Sequence, residues 1–284
     1  MKTVEKEMII LISFILLFLM LPATSAEIII GQPKSLYNIG DDFEITITVT
    51  PRAPISEFLT VSLVCEDKKI EIYKSPLSAN QGEEKQVKIS AKLDTFLLQN
   101  TKGNCYIESS FGGETSASPK FDITGEIGVF LSVQGIAFNP GEYVSIGGKT
   151  EKANGKPVDG YVELFIDKID SKFTGLVRGG SFNLTFKIPE NSPAGNYELV
   201  ARVYEKDISG RTTNEGKANA FIRVKQIVKE VAIALSDQST SPRKEFAYSI
   251  VLYDQARDRA QGDVAVRVYT VSYTHLTLPT IYSV

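Results

Sequence analysis

Gly179 to Asp207 constrains the fold of this chain more than any other stretch. Phe182, Leu184, Phe186 and Ile188 are apolar at every second position, and Ser181, Asn183, Thr185 and Lys187 fill the gaps. Period-2 alternation predicts a strand with one face buried and one in water. Pro189 removes a backbone donor and ends the strand, and Pro193-Ala194-Gly195-Asn196 supplies turn chemistry. A second alternation follows, with Tyr197, Leu199, Ala201 and Val203 on one face. The pair reads as a β-hairpin and contains no constellation suited to chemistry.

The same pattern runs through the rest of the chain. Phe43, Ile45, Ile47 and Val49 alternate with Glu44, Thr46, Thr48 and Thr50, and Val87, Ile89, Ala91 and Leu93 alternate with Gln86, Lys88, Ser90 and Lys92. Shorter strands are predicted at Ile28–Ile30, Leu59–Cys65, Lys69–Tyr73, Asn104–Glu108 and Lys120–Ile123, divided by Asn- and Gly-rich turns, with one helical turn at Leu93–Gln99. About seven short strands in roughly 100 residues is the signature of an antiparallel sandwich. A second set lies near Gly128–Val133, Tyr143–Gly147, Tyr161–Asp167, Phe173–Val177, Ser181–Ile188, Tyr197–Tyr204 and Ala218–Val224. A third begins with Val231, Ile233 and Leu235, continues through Phe246, Tyr248, Ile250 and Leu252, and predicts a strand on Val264, Val266 and Val268.

These sets repeat. Asn38-Ile39-Gly40-Asp41-Asp42-Phe43 answers Asn139-Pro140-Gly141-Glu142-Tyr143-Val144 at an offset of 101, and Gly160, Val162, Leu164 and Ile166 answer Gly262, Val264, Val266 and Val268 at 102. The expected organisation is all-β: tandem antiparallel sandwiches at 27–125 and 126–226, and an incomplete third at 227–270.

The two ends are set apart by composition. Met8–Leu21 is an uninterrupted apolar run, shorter than the roughly 20 residues of a comfortable membrane span. The small residues that follow, up to Ala26, suit signal-peptidase cleavage after Ala26, so 1–26 is expected to be a signal peptide; an uncleaved anchor is the alternative. The chain is then expected to be secreted or held in the cell envelope, touching membrane only through this segment. At the other end, Val271–Val284 carries no Asp, Glu, Lys or Arg and holds the lone histidine, His275. Its string VSYTHLTLPT resembles translated sequencing-adapter read-through, which implies a non-native tail at 271–284; a genuine terminal strand is the alternative.

Export exposes thiols to oxidation, and the chain has two, Cys65 and Cys105. Cys65 shares a strand face with Val61 and Leu63, and Cys105 shares one with Ile107, so both side chains should enter one core. A disulfide is geometrically reasonable and would close a 40-residue loop, worth roughly 4 kcal/mol in the chain-entropy model. Two buried free thiols are the alternative. By strand order the cysteines would be neighbours within one sheet, unlike the bridge across two sheets in antibody domains. There is also no Trp, and Gly103 stands where a tyrosine-corner Tyr would be.

The second set resembles the immunoglobulin-like and macroglobulin-type modules of bacterial and archaeal surface proteins. The resemblance rests on Asn139-Pro140-Gly141, Gly155-Lys156-Pro157-Val158-Asp159-Gly160, Gly180-Ser181-Phe182, Ile188-Pro189, Ala194-Gly195-Asn196-Tyr197-Glu198-Leu199, Asp207 and Gly210. It implies turn and core roles for these positions and no catalytic ones.

Charge and residue chemistry narrow the function. A net charge of −3 without blocks leaves no basic footprint for nucleic acid or anionic lipid. No histidine lies between Glu27 and Thr270, which removes Ser-His-Asp and Cys-His catalysis and histidine-based zinc sites there. The closest carboxylate pairs, Asp41 with Asp42 and Asp167 with Asp170, read as solvated loop residues. Calcium at a junction between modules would need the same oxygens, and no EF-hand loop is present. No cofactor is expected. Asn183-Leu184-Thr185 matches a glycosylation acceptor on an outward strand face, and Tyr106 and Tyr204 are expected to face outward. The leading expectation is a non-catalytic surface protein with a structural, adhesive or interaction role, toward an unidentified protein or glycan. The alternatives are accessory domains of a secreted peptidase or glycosidase, and a macroglobulin-like protease trap, although the Cys-Gly-Glu-Gln thioester signature is absent.

Overall fold

The computed structural model describes residues 26–66, 68–99, 101–169, 171–236, 244–245 and 247–267. Residues 1–25 of the expected signal peptide, Asp170, Phe246, Val268 and the tail with His275 lie outside the described residues. The strand content is that of an all-β protein, and the only helix among the described residues is one turn long.

The first sandwich contains β1 (Ala26–Ile30), β2 (Leu36–Asn38), β3 (Asp42–Pro51), β4 (Ile55–Cys65), β5 (Lys68–Ala79), β6 (Lys85–Lys92), α1 (Thr95–Leu98), β7 (Gly103–Phe111), β8 (Glu114–Ala117) and β9 (Phe121–Thr124). One sheet runs β1-β3-β6 and the other β2-β9-β7-β4-β5, with β8 also on β7. Alternation sets the inner faces: Phe43, Ile45, Ile47 and Val49 of β3 meet Leu59, Val61 and Leu63 of β4 and Ile107 of β7 in one buried cluster. The Tyr37 ring lies 5.5 Å from that of Phe43 and 5.4 Å from that of Phe121, within the favourable range for aromatic pairs. The helical turn begins where Asp94 accepts from the Leu97 amide at 2.8 Å and stops at Gln99, whose φ of 47° is left-handed.

Cys65 and Cys105 are disulfide-bonded. They stand directly opposite each other in the antiparallel β4–β7 register, with Cα atoms 4.1 Å apart, so the bridge joins neighbours in one sheet.

The second sandwich contains β10 (Ile127–Val133), β11 (Ala137–Phe138), β12 (Tyr143–Lys152), β13 (Gly160–Ile166), β14 (Ser171–Val177), β15 (Ser181–Lys187), β16 (Gly195–Lys206) and β17 (Thr212–Val224). Its sheets run β10-β12-β15 and β11-β17-β16-β13-β14. Val162, Leu164 and Ile166 face Tyr197, Leu199, Ala201 and Val203 and the β15 residues Phe182, Leu184 and Phe186 in the buried interior. Phe173 stacks on Phe186 at 4.9 Å. β2 lies parallel to β9, and β11 lies parallel to β17; these two- and three-residue pairings leave no alternation to read in sequence.

The chain divides into two compact units. One takes the described residues up to Ile136 together with Tyr143–Phe186 and Tyr197–Ile222; the other takes Ala137–Glu142, Lys187–Asn196 and the residues from Arg223 onward. In the second unit, the Asn139–Glu142 turn is tied to Ile188 by bonds of 2.9 Å in both directions, and Phe138, Ile188 and Val224 are buried. β18 (Val228–Leu235), β19 (Tyr248–Asp254) and β20 (Arg259–Ala260) form one antiparallel sheet in the order given. Gln255, in the hairpin after β19, donates through its amide to the carbonyls of Ser192 (2.9 Å) and Lys225 (3.1 Å) and accepts from the Ile227 amide (2.9 Å).

Two expectations need correction. β15 and β16 do not form a hairpin: β15 pairs with β12 in one sheet, while β16 lies between β17 and β13 in the other, so the Pro189–Gly195 turn crosses between sheets. Val264 and Val266 are exposed and outside any strand, although their alternation predicts one. A strand needs a neighbour to take its backbone groups, and β19 already has β18 on one edge and β20 on the other. A third is only refined: Tyr204 lies on the outward face as expected but is buried there, because it stacks on Tyr161 with centroids 5.6 Å apart and the Arg202 guanidinium lies over its ring.

Candidate functional site

Two features stand out, both within the first unit: the junction between the first two sandwiches, and the outer face of the second.

The junction starts from a very short connection. β9 ends at Thr124 and β10 begins at Ile127, leaving Gly125 and Glu126 between them. Those residues are not free. The Glu215 amide donates to the Gly125 carbonyl at 2.8 Å, and Glu126 forms a parallel bridge with Glu215. A Cβ on Gly125 would lie 2.7 Å from the Thr213 carbonyl oxygen, and one on Gly216 would lie 2.0 Å from that of Ile127, so the linker seats against β17 only because both positions lack side chains.

Side chains from both sandwiches complete the joint. Asn38, at the end of β2, is fully buried, and Asn214 on β17 is 1% exposed. The Asn38 amide donates to the Glu126 carbonyl (3.0 Å) and to Asn214 Oδ1 (3.2 Å), and Asn38 Oδ1 accepts from the Asn154 backbone amide (3.0 Å). Asn214 donates to the Ile39 carbonyl (2.9 Å) and to Glu205 (2.8 Å), which also meets Lys152 at 3.0 Å. Asp41 accepts from the Asn38 amide (2.8 Å), from the Lys156 ammonium (2.7 Å) and from the Asn154 side chain. The expected solvated pair therefore separates: Asp42 is exposed, but Asp41 is 6% exposed and spans the junction. Burying that carboxylate requires the partners the second sandwich supplies.

A second contact lies beside the first. The Thr95 hydroxyl donates to Asp207, and Arg211 donates to Thr95 at 2.7 Å. Bonds from the Ser209 hydroxyl, Thr95 and nearby backbone amides hold the Asp207 carboxyl well below its usual range. Lys92, Phe96, Lys206 and Ile208 line a cleft of about 680 Å³ at this place.

The outer face of the second sandwich carries a separate ion-pair cluster. Glu163 accepts from Lys172 and from the Tyr204 hydroxyl, each at 2.9 Å, and faces Arg202 at 3.6 Å. Arg202 meets Glu215 at 2.6 Å. The Lys172 bond is the main cause that lowers the Glu163 carboxyl, and Arg202 does the same for Glu215. Burial, followed by the bond to Glu163, raises the Tyr204 hydroxyl.

No protein-family model matches the chain, and no curated protein matches it in sequence. Solved structures align with parts of the chain. A β-glucosidase from Listeria innocua in complex with isofagomine aligns at 13% identity and a TM-score of 0.30, over 36% of this chain and 16% of that one. Red sea bream transglutaminase aligns at 13% identity and a TM-score of 0.33, over 71% of this chain and 31% of that one. The chain thus spans less than a third of the length of either.

Among the described residues, no group of three or more His, Cys, Asp or Glu side chains is placed to hold a metal ion, and no helix is long and apolar enough to cross a membrane. Asp167 accepts from the Glu198 amide at 2.6 Å, and Asn183 is exposed on β15. Of the joint residues, Asn38 opens the repeated Asn38–Phe43 turn, and Asn154, Asn214 and Thr95 carry no motif. The available signal is the spacing, since only four residues, 124–127, lie between the predicted strands, too few for a long flexible linker.

Proposed function

We propose that this chain is an exported, non-catalytic tandem immunoglobulin-like protein whose first two sandwiches act as one stiff spacer at the cell surface. The buried polar joint carries this reading. Flexible inter-domain connections are exposed and make few crossing contacts. Here Asn38 and Asn214 sit at or below 1% exposure, and each bonds across the junction. Bending it would uncover a hydrogen-bonded carboxylate and two amides at once.

Recurrent geometry supports the tandem immunoglobulin-like reading. In the Asn38 turn, Asn38 and Asp41 exchange bonds of 2.8 and 3.1 Å, while Gly40 donates to Leu93 at 2.7 Å. In the Asn139 turn, Asn139 and Glu142 exchange bonds of 2.7 and 3.1 Å, and Gly141 donates to Ile188 at 2.9 Å. The hairpins at Lys152–Lys156 and Asp254–Asp258 also match: the first residue donates to the last at 2.9 and 2.8 Å, and Gly155 and Arg257 are both left-handed, at φ of 83° and 66°. A spacer would present its outer faces to a protein or glycan partner, and a glycan on Asn183 would be compatible with that exposure.

Pulsed electron–electron resonance tests stiffness, with spin labels on Gln86→Cys and Lys149→Cys, both exposed and one in each sandwich. A single narrow distance distribution is expected; a broad one sinks the spacer reading. Export is tested separately by N-terminal sequencing of secreted protein, which should start at Glu27.

A further inference from the structure

The free edge of the second sandwich is built for pairing with its own copy. We propose that β14 pairs antiparallel with β14 of a second chain about a two-fold axis at Thr174, joining two sheets edge to edge.

β14 has seven residues and terminates its sheet, so among the described residues its outer backbone groups pair with no strand. Exposed edges are normally guarded by lysines, prolines, bulges or short length. The matching edge of the first sandwich is guarded in this way. β5 carries Lys68, Lys69, Glu71, Lys74 and Pro76, and its pairing with β4 is interrupted at Val61/Ser62. The edge strand β6 carries Lys85, Lys88 and Lys92, and β15 turns only Ser181, Asn183, Thr185 and Lys187 outward.

β14 has fewer of these guards. It contains no proline, and its β13 register is unbroken. It carries one lysine where β5 and β6 carry three each, and that one, Lys172, pairs with Glu163 at 2.9 Å and lies 5.5 Å from the Phe165 ring centroid. Leu176 is 53% exposed on the same face, with Tyr161 and Phe165 exposed on the neighbouring strand. The strand is also held from behind by the Phe173–Phe186 stack and by Val177, which is buried. It is therefore ordered before a partner arrives, which lowers the entropic cost of association.

The two-fold register is self-complementary, as an isologous contact requires. Thr174 meets Thr174, a favourable cross-strand pair. Phe173 stands opposite Gly175 of the second copy on the inner face, where Leu184 already covers the glycine and no bulky pair clashes. The aliphatic stem of Lys172 lies along Leu176 of the second copy, and no like charges face each other.

The test is sedimentation velocity on the full chain from about 1 to about 200 µM, a range suited to a small, weak interface. Reversible dimerisation is expected, and Leu176→Lys, which adds an exposed edge charge, should weaken it at least about tenfold with an unchanged thermal melt. Thr174→Cys should give a disulfide-linked dimer under mild oxidation, whereas Gln86→Cys should not. A monomer across the whole range, a dimer indifferent to Leu176→Lys, or equal cross-linking at both cysteines would overturn the proposal.

Discussion

The two sandwiches share a strand order but are held together by different means. The first closes β4 to β7 with the Cys65–Cys105 bridge and guards its edges with lysines and a proline. The second contains no cysteine and relies on Tyr197, Phe182, Phe186 and an ion-pair cluster around Glu163 and Arg202. Strand order therefore does not dictate what stabilises a sandwich. One adds to its core a cross-link that acts through the unfolded state, by restricting the denatured chain, and the other relies on contacts present only when folded.

The largest test of this contrast is the double variant Cys65→Ala/Cys105→Ala. It should cost the first sandwich about 4 kcal/mol for its 40-residue loop, while the second is unaffected. Denaturant melts with and without reductant, read by probes in each sandwich, check it. Equal sensitivity of both would break the comparison.

Asn38→Ala leaves Asn214 and the Glu126 carbonyl short of a buried partner, at a cost of about 2 kcal/mol. Calorimetry should show one shared transition separating into two, and the spin-label distance should broaden. Asp94→Ala removes the α1 cap and should cost about 1 kcal/mol, confined to the first sandwich. Amide exchange at Leu97 and Leu98 would report it.

The smallest effect is electrostatic. Glu163 and Glu215 have folded pKa values below their unfolded ones, so their contribution is fully present above the unfolded value near 4.3 and is lost as pH falls through the lower, folded value. Glu163→Gln should flatten the acid limb of the second sandwich's stability curve. Glu44 and Glu83 are also lowered, by Lys88 and by the Asn80 amide with Lys85, but both are solvent-screened. Added salt should therefore flatten the first sandwich's acid limb more than the second's. Acid melts at two ionic strengths measure the difference.

Much of the fold was legible because burial in a sandwich has a two-residue period. The β3, β4, β13, β15 and β16 alternations name the core correctly, the placement of Cys65 beside Val61 and Leu63 put it in that core, and strand order anticipated an in-sheet bridge. The joint was harder to read. Asn38 and Asp41 appeared as turn residues, which they are, but the same atoms also bond to Asn154 and Lys156 more than a hundred residues away. Tyr204 shows the same limit: alternation assigns its outward face, but not what covers it. On this face Tyr161, Arg202 and Lys206 do the covering.

Sequence alone determined which residues turn inward, where strands stop and which cysteines could meet, because these follow from local periodicity, turn chemistry and reach along the chain. Tertiary structure decided that β2 and β11 pair in parallel, that Val264 and Val266 form no strand, that Asp41 is buried, and that β14 is left as an open edge. Each of these depends on which distant backbone or charge arrives alongside, a pairing energy that no window of neighbouring residues contains.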